Sequence, residues 1–463
     1  MSFFKISLKV KYIMNSNNLT EGNIRNNLIK FAIPYLIAAF MQTFYGMADL
    51  MIVGLYNDAS TTTAVSIGSQ VMHMLTVIIL GFAMGTTVHV GRCVGAKDGS
   101  GASKIIANTV YLFSGIAIIF TGLLLVLTNT IVGVMLTPAE AVGQTEMYLY
   151  ICFAGIPFII AYNVISSIFR GAGDSKRPMY FVGVACMTNI VLDFVFIGGM
   201  GLGAAGAALG TVVGQAVSVV ISLIAIKKID FGFSLSIKRE KPDAQAVRSI
   251  LSVGTPVAMQ DGFIQVAFIV ITIIANSRGL IAAASVGIVE KIICFVFLVP
   301  SSFLSAISAI TAQNIGAGQP ERARKSLYYG LAIAGAWGLL VALYAQVLPQ
   351  TLVGLFTRDA LVVAAGCQYF RSYSFDTFFA AFHFCFSGYF CGVEKSKLSF
   401  IHNIISILLV RIPGTYLFSK WWPDTLYPMG WAAPLGSLLS AIICVVFFAV
   451  LRSQSLRDNG IDE

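Results

Sequence analysis

The sequence predicts an all-α polytopic membrane protein, with twelve transmembrane helices in two pseudo-symmetric six-helix bundles around a central cavity. Three observations predict it. The 463 residues are 57% hydrophobic and only 11% charged, with a mean hydropathy of +0.83, whereas a soluble domain carries about 25% charged residues. Twelve stretches are long enough to cross a bilayer, which takes roughly 20 apolar residues. The second six stretches also repeat features of the first six at an offset of about 221 residues. This composition excludes an ordinary cytoplasmic enzyme, a disordered chain and a nucleic-acid-binding module.

The first set of spans covers about 31–55, 62–89, 105–129, 143–168, 179–199 and 203–226. The second covers about 250–275, 281–312, 326–348, 361–389, 398–419 and 429–451. Backbone groups cannot stay unpaired in lipid, so runs of this length are helices. Ile105 to Thr128 contains no Asp, Glu, Lys or Arg. Gly198-Gly199-Met200-Gly201 splits the run from Met179 to Ile226 into two helices. The chain thus divides into a cytoplasmic segment (1–30), a first bundle (31–226), a basic cytoplasmic linker (227–248), a second bundle (249–451) and a cytoplasmic tail (452–463). The N-terminal segment has Lys5, Lys9 and Lys11 but lacks the apolar core of a signal peptide, and Met14 is an alternative start.

Charge placement sets the orientation. With the N-terminus inside, the cytoplasmic segments carry 24 Lys and Arg, against 3 outside (Arg278, Arg358 and Lys420). That bias predicts a multi-pass protein of the plasma membrane with both termini in the cytoplasm. The net charge of +9 is then a topology signal, not the mark of a nucleic-acid partner. Eight cysteines show no CxxC and read as buried thiols, not disulfides or a metal site. His73, His89, His383 and His402 are scattered without ligand spacing and read as packing groups.

The repeat is visible in the inner turns. VGRCVGAKDGSGASK (90–104) parallels AQNIGAGQPERARKS (312–326), so that Gly95-Ala96 matches Gly316-Ala317. RGAGDSKRP (170–178) parallels CGVEKSKLS (391–399), matching Gly171, Ser175 and Lys176 with Gly392, Ser396 and Lys397. Pro34 and Pro256 begin spans one and seven. Six spans per half leave both halves in one orientation, related by an axis along the membrane normal, as in transporters that rock about a central cavity.

Acids inside spans are costly and are functional candidates. Helical spacing puts Asp49, Asn189, Asp193 and Thr211 in one layer of the outer half of the first bundle. Such a layer can share a proton between carboxylates, offer oxygen ligands to Na+, or serve only as interhelical hydrogen bonding. In the second bundle Asp261, Gln265, Glu290 and Asp376 are candidate substrate or ion contacts. Lys291, Arg371 and Arg411 lie within spans and either pair with carboxylates or meet substrate.

At these residues the chain resembles the multidrug and toxic compound extrusion (MATE) transporters. The resemblance is carried by Pro34, Asp49-xxxx-Gly54, VGAKDGSGASK (94–104), FRGAGDSKRPM (169–179), NIVLDFVFIGGMGLGAAGAALGT (189–211), QNIGAGQPERA (313–323) and LFTRD (355–359). It is similar above all to the DinF-type branch. The resemblance implies that Asp49, Asn189, Asp193 and Thr211 form the cation site of the N-terminal lobe and that span one bends at Pro34. Phe194 stands where the family often has proline, and Phe390-Cys391-Gly392 where Leu-Arg-Gly is usual. Asp261, Gln265 and Asp376 only approximate the acids that the NorM-type branch uses. The implied function is a monomeric secondary antiporter, without cofactor, exporting hydrophobic or cationic drug-like compounds in exchange for H+ or Na+. The rival readings are a flippase for lipid-linked saccharides, which needs a basic cavity, and more remotely an intramembrane enzyme. No HExxH, GxSxG or Walker sequence occurs.

Overall fold

The structure, a computed structural model, describes residues 12–13, 18–230 and 240–458. Lys5, Lys9, Lys11 and Met14, linker residues 231–239 and tail residues 459–463 lie outside the described residues.

The first half runs α1 (Ile24–Tyr56), α2 (Ala59–Gly95), α3 (Gly99–Val134), α4 (Val142–Ala154), α5 (Ile156–Gly171), α6 (Lys176–Asp193), a π-helical turn (Phe194–Gly199) and α7 (Gly203–Lys228). The second half runs α8 (Ala244–Asn276), α9 (Leu280–Gly316), α10 (Pro320–Val347), α11 (Pro349–Val353), α12 (Ala360–Tyr373), α13 (Phe375–Gly392) and α14 (Ser396–Ser406). A π-helical turn (Ile407–Arg411), α15 (Ile412–Trp421), α16 (Tyr427–Gly430) and α17 (Ala432–Asp458) complete it. The repeat extends to helix length: α1 and α8 both have 33 residues, and α2 and α9 both have 37. Tyr12–Ile13 and Ile229–Asp230 form a two-residue parallel pairing. Helix starts follow the capping residues. Asp58, Asp98, Asp243 and Asp359 each accept a backbone N–H of the first turn at 2.8–2.9 Å.

Among the described residues ten helices are each long and apolar enough to cross a membrane, and the bent pair containing α4 and α5 makes an eleventh crossing. The pair α12 and α13 stands at the place of the tenth predicted span and is not among those crossings. The predicted spans 143–168 and 361–389 are therefore not single helices. The first bends by 47° at Gly155, where Pro157 removes a backbone donor just beyond the break. The second breaks at Ser374, whose hydroxyl donates back to the Arg371 carbonyl at 2.8 Å. Span one is helical on both sides of Pro34, which lies inside α1.

The two bundles meet at the end that carries the Lys- and Arg-rich turns, called here the basic end. The start of each half packs on the other half. Leu28, Phe31 and Ala32 of α1 join the second bundle's core, while Val253 and Val257 of α8 pack with Met84 and Val88 of α2. Glycines permit the approach. A Cβ at Gly95 would run into the Gln313 carbonyl, and one at Gly316 into the Arg92 carbonyl. Gly85 and Gly254 meet the carbonyls of Ile250 and Phe82 in the same way. The contacts are reciprocal, as an axis relating the halves requires. Polar contacts reinforce the seam: Arg92 Nη1 pairs with Glu394 Oε2 at 2.5 Å, and His89 sets Nδ1 against Glu394 Oε1 at 3.2 Å and Nε2 against the Ser249 carbonyl at 2.9 Å. Burial would raise the Glu394 pKa, but His89 and Arg92 hold it down to about 2.

Candidate functional site

In the first bundle α1, α6 and α7 converge on one buried polar cluster. Asp49, Asn189 and Asp193 are at most 2% exposed, and Thr211 is half-buried. Thr211 Oγ1 donates to Asp49 Oδ2 at 3.3 Å. With its amide nitrogen toward the carboxylate, Asn189 donates to Asp49 Oδ1 at 2.8 Å and accepts the Thr211 N–H at 3.3 Å. Both oxygens of Asp49 thus have a donor. The carboxyl groups of Asp49 and Asp193 lie within hydrogen-bonding reach of each other. Neither oxygen of Asp193 accepts a bond from a described donor, and no ion pair reaches either carboxylate among the described residues. Two neighbouring buried carboxylates with only neutral donors between them demand a positive partner.

The glycine stripe on α7 shapes the cluster. A Cβ at Gly210 would press on Asp193 Oδ1, and one at Gly214 would lie 3.0 Å from the Ala185 carbonyl of α6. Small residues at this spacing let two helices approach closely. The four residues singled out by sequence are therefore brought together. Three neighbours were not singled out: Gly210 itself, Tyr45 and Gln215, the last two lying against one another. Their signal was available, because Tyr45 precedes Asp49 and Gln215 follows Thr211 by one helical turn each.

The second bundle does not gather its candidates. Glu290 Oε2 accepts from Thr272 of α8 at 3.3 Å. Asp261 and Gln265, both partly buried, lie a turn apart on α8, and Asp261 is near Cys391. Asp376, expected mid-span, sits in the first turn of α13 beside the break, fully buried, with Arg411 Nη2 3.3 Å from its Oδ1. Of the three basic residues, only Arg411 pairs in this way and lines the bundle's internal pocket; Lys291 and Arg371 are exposed. The basic cavity that a flippase reading needs is thus not assembled from these three. The histidines are less scattered than their spacing suggested. His383 and His402 lie with ring centroids 5.6 Å apart, tilted by 57°, and bond Ser437 and Ser387. Among the described residues no three His, Cys, Asp or Glu come together as a metal site. Six cysteines are buried, but Cys93 is half-buried and Cys294 exposed.

The model of the MatE family matches the chain twice, at residues 34–195 and 256–417, one match in each bundle. The probable multidrug resistance protein YpnP of Bacillus subtilis is 28% identical over 408 residues, covering 88% of this chain and 91% of that protein. The probable multidrug resistance protein NorM of Thermotoga maritima is 24% identical over 456 residues, covering 96% of this chain and 95% of that protein. Two solved structures share the fold at a TM-score of 0.89 and 22% identity, each covered in full. One is a MOP superfamily transporter from Pyrococcus furiosus, covering 96% of this chain. The other is an outward-facing multidrug resistance MATE family transporter, covering 97%.

Proposed function

Because the chain belongs to the MatE family, the multidrug and toxic compound extrusion transporters, we propose that it is a secondary active antiporter driven by a cation bound in its first bundle. It is a multi-pass membrane efflux transporter and not an enzyme. The finer reading is that a cation, H+ or Na+, enters from outside and loads Asp49 and Asp193. Loading biases the first bundle and releases an organic, hydrophobic or cationic substrate outward. The same reading puts both termini on the cytoplasmic face of the plasma membrane and the chain in the DinF-type branch.

The observation that supports the coupling is a carboxyl pair with no basic partner among the described residues. Asp49 has both oxygens held by neutral donors, Asp193 has neither oxygen held, and no described basic side chain pairs with them. A site with two acids, an amide and a hydroxyl but no built-in cation suits a cation that comes and goes. One charge moving down 100 mV supplies about 2.3 kcal/mol. The test is uptake of a fluorescent organic cation into everted membrane vesicles under an imposed proton gradient, repeated with a Na+ gradient. Uptake that follows one gradient in the wild type and disappears in Asp193→Asn is the expected result. Equal uptake in both proteins would sink the assignment.

A further inference from the structure

Arg170 is a buried cation whose counter-ion the chain does not supply. It lies in the last turn of α5, at the basic end, and is 6% exposed. Burying a charge is costly unless the charge is paired and hydrogen-bonded. Among the described residues no carboxylate pairs with Arg170 and no acceptor takes its N–H groups. Its guanidinium carbon stands over the Tyr35 ring, 5.7 Å from the centroid, and a ring face is a weak substitute for an anion. The nearest acid in sequence, Asp174, is already engaged. Its Oδ2 pairs with Arg177 Nη1 at 2.6 Å, and its Oδ1 accepts the N–H groups of Lys176 and Arg177 at 2.9 and 3.2 Å. The acid pair at Asp49 is remote, since Tyr35 and Asp49 stand about 21 Å apart along α1. Nor does the fold itself ask for a cation here. At the repeat's offset position 170 corresponds to Cys391, which packs in an apolar cluster with Met84, Val88, Val253 and Val257.

Unlike the unbonded oxygens of Asp193, the Arg170 nitrogens are not sealed in. Arg170 lines a pocket between α1, α2, α5 and α6, together with Tyr35, Gln42, Tyr162, Asn163 and Ser175. Every one of these polar side chains can donate a hydrogen bond, and no Asp or Glu is among the lining residues. Asn163 spends one N–H on the Ile159 carbonyl at 2.8 Å and keeps the other. The cavity has room of about 40 Å³. That is enough for a small ion with a water, since one water needs about 10–15 Å³. It falls far below the roughly 300 Å³ at which small-molecule pockets begin.

We propose that this pocket is a halide site, in which chloride sits against Arg170 and takes further bonds from the donors around it. The anion supplies the missing counter-charge and so stabilises the first bundle at its basic end. Nothing in this rests on the antiport reading. The site also has a sign that a structural arginine lacks. Removing a guanidinium that holds helices together weakens the fold in any salt. Removing one whose counter-ion comes from solution costs stability only when that ion is present.

The experiment is thermal unfolding of the full-length protein in detergent, with sodium gluconate replaced stepwise by sodium chloride at constant ionic strength. Gluconate is too large for the cavity, and the constant sodium leaves any Na+ site unchanged. Between about 1 and about 100 mM chloride the wild type should gain about 1–3 °C in Tm, as with any ligand that binds only the folded state. Bromide should act in the same way. Arg170→Gln should lose this response while melting no lower than the wild type in gluconate. Gln42→Glu puts a carboxylate into the same pocket, and should melt higher than the wild type in gluconate and ignore chloride. An equal chloride response in the wild type and Arg170→Gln would place the effect elsewhere, and no response in the wild type would remove the site. Arg170→Gln melting lower in every salt, or Gln42→Glu keeping the full chloride response, would likewise overturn the proposal.

Discussion

The two bundles repeat one backbone and differ in charge. Each has a span broken midway, at Gly155 or Ser374, and a π-helical turn in its fifth span. In the first bundle the residue before the π turn is Asp193, and in the second the residue that ends it is Arg411. Asn189 shifted by 221 falls at position 410, next to Arg411. At one level of the fold, then, the first bundle holds acids with no cation and the second holds an acid whose cation is built in. A missing counter-ion makes a site that loads and unloads, and a resident one makes a site whose acid is always answered. π turns often mark functional sites because they free backbone groups and re-aim side chains.

The comparison breaks most sharply at the two acids. Asp193→Asn should collapse the substrate accumulation ratio toward unity, from as much as about fiftyfold, the ratio that one charge moving down 100 mV sustains. Whatever flux remains in Asp376→Asn should still follow the imposed gradient, because the proposed cation site is in the other bundle. Vesicle accumulation assays under matched gradients read both. If Asp376→Asn also uncoupled transport, the division of labour would be wrong. Gly210→Ala is the next largest effect. Its methyl meets Asp193 Oδ1, a buried group with little room to move, so an overpacking cost of about 1–3 kcal/mol is expected. A thermal-shift measurement in detergent should show a lower Tm for this variant, with weakened coupling in vesicles.

The fold was legible because bilayer thickness and the ban on unpaired backbone leave few ways to arrange such apolar runs. What escaped was where those runs break, since Gly155 and Ser374 look no different in sequence from the glycines and serines of unbroken helices. The acid layer was legible because Asn189 and Asp193 share a helix face, and Asp49 and Thr211 fall at matching depth. The pairing of Asp376 with Arg411 was not, because helix phase says nothing about which of several neighbours a side chain meets. The same limit hid the approach of His383 to His402. Glu394 did leave a trace. It stands where the repeat has Gly173, and both residues take positive φ, 62° and 90°. A non-glycine residue in that conformation costs of order 1 kcal/mol, so the side chain must contribute more than the turn loses.

That contribution is the seam with His89 and Arg92, and it makes Glu394 the third test. Glu394→Gln keeps the strained turn and removes the charge, and should loosen the basic end by about 1.5–3 kcal/mol, the range for hydrogen bonds to charged groups. Glu394→Gly removes the charge and the strain together, copies the first bundle's turn, and should recover part of the loss. Thiol labelling at Cys93, half-buried at that end, reports the opening in each variant. The pH dependence has a definite sign. The carboxyl is held at about 2, below its ordinary 4.5, so its stabilisation is complete above about 4.5 and is lost as pH falls toward 2. Labelling that, normalised at each pH to that of the unfolded protein, rose with increasing pH through this window would contradict the assignment, since the thiolate fraction itself rises with pH.

Thr211 gives the smallest effect and the finest discrimination. Its hydroxyl donates to Asp49 Oδ2 at 3.3 Å, while its backbone N–H is already taken by Asn189. Thr211→Val keeps the shape and deletes one hydroxyl, at a cost near the about 1 kcal/mol of an ordinary hydrogen bond, or roughly fivefold in apparent cation affinity. If the coupling ion is Na+, the hydroxyl oxygen is a potential ligand, since hard cations are held by oxygen donors. Its loss should then weaken Na+ dependence, and Thr211→Ser should restore it. If the ion is H+, the proton sits on a carboxyl oxygen and needs no hydroxyl ligand, so the variant should shift the pH profile slightly and leave Na+ without effect. Measuring the half-saturating cation concentration for wild type, Thr211→Val and Thr211→Ser under each gradient separates the two cases. An unchanged value under both gradients would mean that Thr211 touches Asp49 without sharing in the cation's site.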